Sequence, residues 1–279
     1  MYGIICEDNL PGHSLFANFR LALVNYYQRN FTNVRNAFDL NGITTLFIVD
    51  EHFGPHVDIW KNETFINLVN KTNIKVVIFN FEKIYSAQFP WNADHQNNVL
   101  KFKNLLQIVS DIEDAKVLNF QTINKQLLSK STVLVPPVEK NNKVVFIGQV
   151  NHWYPTRQRV IEEFKNLGFE LDVIVTDRKL TYEQFLNKLN EYKFILNPLG
   201  TGKFLNLRFY EALKLGCIPI QQMTKEMKSF YSLEAKYCIS FDETSELNKD
   251  IFNTSFTPME YYLEDYFTEI NLNGKVNNI

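Results

Sequence analysis

Residues 194–220 read FILNPLGTGKFLNLRFYEALKLGCIPI. An apolar run ending in Asn197 enters a loop that holds Gly200 and Gly202. A helix-forming segment over 207–215 follows and stops at Gly216, and residues 217–220 are apolar again. The stretch is therefore strand, glycine loop, helix, strand, the unit from which parallel α/β sheets are wound.

The same rhythm extends outward. Upstream, strands are predicted over residues 2–6, 45–49, 75–81, 116–120 and 132–135, and helices over 14–30, 63–70 and 94–110. The run PPVEKNNK at 136–143 is the best linker in the chain. Beyond it the pattern restarts: strand 144–148, helix 156–167 ended by Gly168, strand 170–175, helix 182–192, then the stretch above. A Tyr- and acid-rich helix is predicted over 259–270. The runs VVIF at 76–79 and VVFIG at 144–148 are apolar at every position, which suits parallel strands covered on both faces. The predicted fold is α/β, with two doubly wound Rossmann-like domains over 1–138 and 139–279. In such sheets ligands bind beyond the carboxyl ends of the strands, so a cleft between the two domains is expected.

Composition narrows the function classes. The chain has 279 residues, 29 Lys+Arg, 31 Asp+Glu and a net charge of −2. Neither half is basic, so the electrostatic footprint of a nucleic-acid binder is missing. The three cysteines, Cys6, Cys217 and Cys238, are widely spaced and read as buried thiols of a reducing compartment. A cytoplasmic location and no membrane span are expected from the lack of a signal-like start or a long apolar run. No Cys/His cluster has zinc spacing, and Gly54 and Pro55 interrupt the His52/His56 pair, so no metal is expected.

Chemistry concentrates at 194–220. Gly200 and Gly202 allow close backbone approach to a ligand, and the loop opens a helix N-terminus, which favours phosphate. Arg208 in the first turn suits a diphosphate, and Glu211, three residues on, shares its helix face. A surface ion pair beside a glycine loop is the plain alternative. A second segment, VFIGQVNHWYPTRQR at 145–159, places Gly148 at a strand end and Arg157 and Arg159 at a helix start. Cations there oppose the helix dipole unless an anion binds. Arg157 and Arg159 are two apart and cannot share one face fully. Trp91 and Trp153 sit in aromatic clusters that suit either sugar stacking or ordinary packing.

The pattern Gly-x-Gly-x₅-Arg-x₂-Glu-Ala-Leu-x₂-Gly-Cys-Ile-Pro-Ile resembles the donor-site motif of GT-B glycosyltransferases, particularly exostosin-like ones. The arginines at 157 and 159 and the Leu-Arg-x₂-Glu helix are also similar to phage DNA glucosyltransferases. The resemblance spans 144–220 and is thin elsewhere. It implies that Arg208 contacts a donor diphosphate, that Glu211 holds the ribose, and that Gly148, Arg157, Arg159, Gly200, Gly202 and Lys203 line the nucleotide-sugar site. The Glu-x₇-Glu signature of retaining members would need Glu at 203, where this chain has Lys203. That departure favours inversion.

An inverting enzyme needs a general base. His13, in the Gly12-His13 pair after the first strand, is similar to the Gly-His of inverting GT-B families. Glu82 follows an apolar strand. Asp50, Glu51 and His52 end another strand, and Asp94 with His95 opens a helix. The resulting expectation is a metal-independent transferase moving a sugar from a nucleotide-diphosphate donor to a glycan hydroxyl. Modified DNA is the alternative acceptor, and a non-catalytic sugar-nucleotide binding module is the alternative class.

Overall fold

Two all-parallel sheets organise the chain. The computed structural model describes residues 1–5, 31–50, 58–80, 97–109, 111–118, 121–122, 136–152, 154–176, 180–200, 202–232, 234–248, 250 and 253. These fall into two compact units, one within Met1–Leu127 and one within Leu128–Tyr261. Several expectations lie outside the described residues: the helix over 14–30, the strand over 132–135, the helix over 259–270, and Cys6, His13, Glu51, His52, His56, Glu82, Trp91, Asp94, His95 and Trp153.

The first sheet comprises β1 (Tyr2–Ile5), β2 (Phe31–Asn33), β3 (Thr45–Asp50), β4 (Lys75–Asn80), β5 (Leu105–Val109) and β6 (Gln121–Thr122). Its order is β2-β1-β3-β4-β5-β6, with every pair parallel. Alternate residues define its faces. Leu46, Ile48, Val76 and Ile78 pack with Phe65, Ile66 and Val69 of helix α1 (Glu63–Lys71). Phe47 and Phe79 point the other way and stack, with ring centroids 6.4 Å apart.

Two predictions fail in this sheet. Residues 105–109 form a strand instead of ending a helix over 94–110: residues 97–99 are helical, and the chain then turns. A short apolar run does not itself distinguish strand from helix. Here Asn70 settles it, donating from Nδ2 to the Lys101 carbonyl at 2.8 Å and accepting from the Lys103 amide at 2.8 Å. These bonds pin the turn that sends β5 alongside β4. The strand predicted over 116–120 is instead helix α2 (Ile112–Leu118), which Asp111 caps by accepting from the amides of Glu113 and Asp114 at 2.8 and 3.1 Å.

The second sheet comprises β7 (Asn141–Gly148), β8 (Leu171–Val175), β9 (Tyr192–Asn197), β10 (Ile218–Gln222) and β11 (Ile239–Phe241). Its order, β11-β10-β9-β7-β8, is again all parallel. Helices α3 (Pro155–Asn166), α4 (Tyr182–Asn190), α5 (Leu207–Lys214) and α6 (Lys225–Phe230) connect it. Val144 and Phe146 pack with Val160, Ile161 and Phe164 of α3 on one face. Val145 and Ile147 pack with Leu189 of α4 and Ala212 of α5 on the other. Both faces of β7 are dry from Val144 to Gly148, which is why that run shows no alternation. Short β2 and β11 escape the sequence reading; each is an edge strand of three residues.

Numbered within itself, each sheet runs 2-1-3-4-5, with one further strand on the first. That is a doubly wound, Rossmann-like order. The order reverses between β1 and β3 in one sheet and between β7 and β9 in the other. Ligands of such sheets bind at the carboxyl ends of those two strands.

Candidate functional site

At the second switch point β7 ends in Gly148 and β9 ends in Asn197. α3 starts after the first and α5 after the second. The two helix starts share an unusual charge pattern. Among the described α-helices, α1, α2, α4 and α6 carry Glu63, Glu113 with Asp114, Glu183 and Glu226 in their first turns, as the helix dipole favours. α3 and α5 carry no acid there, and they hold Arg157 and Arg208 instead. α3 also starts without a side-chain cap.

The two arginines cross over one another's loops. An ideal Cβ on Gly148 would collide with the Arg208 guanidinium, and one on Gly200 would come within 3.3 Å of Arg157 Nη2. Each arginine therefore lies in space left by a glycine of the other's strand–helix connection. Arg157 Nη1 donates to the Gln149 carbonyl at 3.2 Å, and its guanidinium sits 3.8 Å from the Tyr154 ring centroid. Arg208 lies 5.3 Å from the Phe146 ring centroid and donates from Nη1 to Asn197 Oδ1 at 3.2 Å. Among the described residues its buried Nε has no acceptor.

Burial first, and the like charge of Arg157 second, push the Arg208 pKa well below its ordinary value, against the pull of Glu211 and Tyr154. A guanidinium keeps its proton in a protein. The direction of the shift reflects the burial of the Arg208 guanidinium and the like charge of Arg157 beside it. Glu211, one turn after Arg208, is 4% exposed, and its charge is felt by both Arg208 and Lys214. The arrangement is a pair of adjacent cations with one buried carboxylate beside it, a charge pattern suited to a phosphate or diphosphate.

The structure sorts the predicted residues. It brings Gly148, Arg157, Gly200 and Arg208 together, with Glu211 alongside. Gly202 follows in the same loop. Arg159 points elsewhere: it is 51% exposed and pairs with Glu163 at 3.4 Å and Glu243 at 3.8 Å. Two positions along a helix rotate about 200°, so Arg157 and Arg159 face opposite sides. Lys203 Nζ lies 3.3 Å from Glu226 at the start of α6. His13 and Glu82 lie outside the described residues, and Asp50 ends β3.

A buried amide ladder beneath Arg208 escapes the sequence reading. Asn197 and Asn206 exchange two hydrogen bonds at 3.0 Å, and Asn197 Nδ2 also donates to Gln221 Oε1 at 2.5 Å. Gln222 Oε1 accepts from the Leu199 amide at 3.2 Å, fixing the start of the glycine loop. The available signal was a polar residue closing each apolar strand: Asn197 after FIL, and Gln221-Gln222 after IPI.

Among the described residues no group of three or more His, Cys, Asp or Glu side chains could hold a metal ion, and no helix is long and apolar enough to cross a membrane. No protein-family model matches this chain, and no curated protein is significantly similar to it.

Proposed function

We propose that this protein is a glycosyltransferase of the GT-B type. Its donor would be a nucleotide-diphosphate sugar and its acceptor a glycan hydroxyl, with inversion at the anomeric carbon and no metal. The observation that carries the reading is the pair of half-buried arginines, Arg157 and Arg208, whose guanidiniums cross over Gly200 and Gly148 at the carboxyl edge of a doubly wound sheet. The donor-site resemblance over 144–220 supplies the reaction class.

In this reading the bond between the anomeric carbon and the diphosphate oxygen breaks, and negative charge gathers on the leaving diphosphate. Two adjacent, half-buried cations stabilise that charge, the role a metal plays in other transferases. Glu211 accepts hydrogen bonds from the ribose hydroxyls. A general base takes the acceptor proton as the hydroxyl attacks; His13 and Glu82 are the candidates read from the sequence.

The test is turnover of a panel of nucleotide sugars, with hydrolysis read in the absence of acceptor. Arg208→Ala is expected to lower kcat by about 100-fold or more, as loss of a preorganised charge-stabilising donor does. Glu211→Ala is expected to raise KM. Binding without turnover would make the chain a sugar-nucleotide binding module, and absence of any nucleotide-sugar binding would overturn the reading. Duplex-DNA binding that falls steeply with salt would shift the acceptor from glycan to modified DNA.

A further inference from the structure

Resting on the reading that Arg157 and Arg208 bind a diphosphate, we infer that Asn197 is the positioning residue of that site. It acts as an uncharged clamp that fixes the fork of Arg208 and leaves its charge for the ligand.

Asn197 closes β9 and is fully buried. Its Oδ1 accepts from Arg208 Nη1 at 3.2 Å and from Asn206 Nδ2 at 3.0 Å. Its Nδ2 donates to Asn206 Oδ1 at 3.0 Å and to Gln221 Oε1 at 2.5 Å. Four hydrogen bonds use the full capacity of the amide. Its partners are themselves held. Gln221 Nε2 donates to the Gln222 carbonyl at 2.8 Å, and Asn206 Oδ1 caps α5 by accepting from the Phe209 amide at 3.3 Å. The amides of Asn197, Asn206 and Gln221 hold one another, so the acceptor that meets Arg208 Nη1 is fixed in place before any ligand arrives.

The choice of amide over acid is the informative part. A carboxylate is the usual partner of a buried arginine and has nearly the same size as Asn. It would also cancel the charge that an incoming dianion needs. In the first sheet the strand in the same place, β3, ends in Asp50. The neutral residue occurs where two arginines converge.

The experiment measures binding of inorganic pyrophosphate by calorimetry to the full chain and to Asn197→Ala, Asn197→Asp, Arg208→Lys and the double variant Asn197→Ala/Arg208→Lys. Loss of the orienting hydrogen bond in Asn197→Ala is expected to raise Kd roughly 10-fold. Asn197→Asp is expected to raise it further, since it adds the opposing charge. In the Arg208→Lys background the effect of Asn197→Ala should shrink to within about twofold, because the fork it orients is gone.

A general packing role predicts the same Asn197→Ala penalty in both backgrounds, and that result overturns the inference. So does Asn197→Asp binding as tightly as Asn197→Ala. If thermal denaturation shows that both Asn197 variants fail to fold, the residue is structural and the inference falls. Arg208→Lys weakening binding while both Asn197 variants bind normally removes only this inference. Failure of the unmodified chain to bind pyrophosphate removes the diphosphate site itself.

Discussion

The two sheets share one strand order and differ in what stands at their carboxyl edges. In the second, Gly148 and Gly200 open space into which Arg208 and Arg157 fold, the Asn197 amide accepts from Arg208, and the Gln149 carbonyl accepts from Arg157. In the first, the described edge carries Asp50, an Asn80–Gln107 bond of 3.2 Å, buried Asp111 and, just past β2, Arg35, whose amide donates to Asp39. Glycine serves differently as well. A Cβ on Gly3 of β1 would meet Val34 Cγ2 at 2.9 Å and Ile43 Cδ1 at 3.2 Å, all apolar core. Winding the sheet creates a place for a ligand in both units. Side chains at the strand ends decide whether that place attracts an anion.

The largest expected effect is at Arg208. Arg208→Met replaces a buried cation by an apolar chain of similar length and removes its repulsion with Arg157. Pyrophosphate affinity should fall about 100-fold. The ligand-free protein sheds the repulsion with Arg157 but leaves buried Glu211 without its neighbouring cation, so its stability in urea denaturation should fall by no more than about 3–5 kcal/mol. A stability loss above that range would mean that Arg208 is a structural ion.

A pair of glycine variants sharpens the contrast between the sheets. Gly148→Ala should displace the Arg208 guanidinium and weaken pyrophosphate binding about tenfold, with a modest stability cost because the tip of a flexible side chain gives way. Gly3→Ala should cost about 1–3 kcal/mol and leave binding unchanged, because its neighbours are core. Reversal of these two patterns would break the assignment.

Smaller effects are expected outside the site. Arg159→Ala should leave pyrophosphate affinity within about twofold and change stability by no more than about 1 kcal/mol, the range of an exposed ion pair. Burial raises the Cys217 thiol to about 11 and the Cys238 thiol to about 12. Both are free and buried, so at pH 8 neither should react with a thiol reagent in the native protein, whereas both should react in denaturant. Peptide mapping after labelling checks this, and fast native labelling of either would contradict the packing.

Much of the second unit is legible in its sequence because local signals agree there. Doubly apolar strands, the Gly168 and Gly216 helix stops and the glycine loop all point to one winding, and Gly216 takes a φ of 69° that only glycine adopts easily. Elements fixed by distant partners are less legible. β5 depends on Asn70 clamping a turn more than 30 residues away, and α2 depends on the Asp111 cap instead of the apolar content of 116–120. In the candidate site, Arg208 and Glu211 stand out from the sequence. The choice between Arg157 and Arg159 needs the helix phase, and the amide ladder needs the strand order that brings Asn197 beside Gln221.

The most direct test of the central claim is a thermal-unfolding titration of the full chain with a panel of nucleotide-diphosphate sugars, run in parallel on Arg208→Ala. At 100 times its Kd, a donor that binds only the native state should stabilise the unmodified protein by about 2.7 kcal/mol and Arg208→Ala, with affinity about 100-fold weaker, by no more than about 0.4 kcal/mol. No shift with any nucleotide sugar, or an equal shift in Arg208→Ala, would contradict the account.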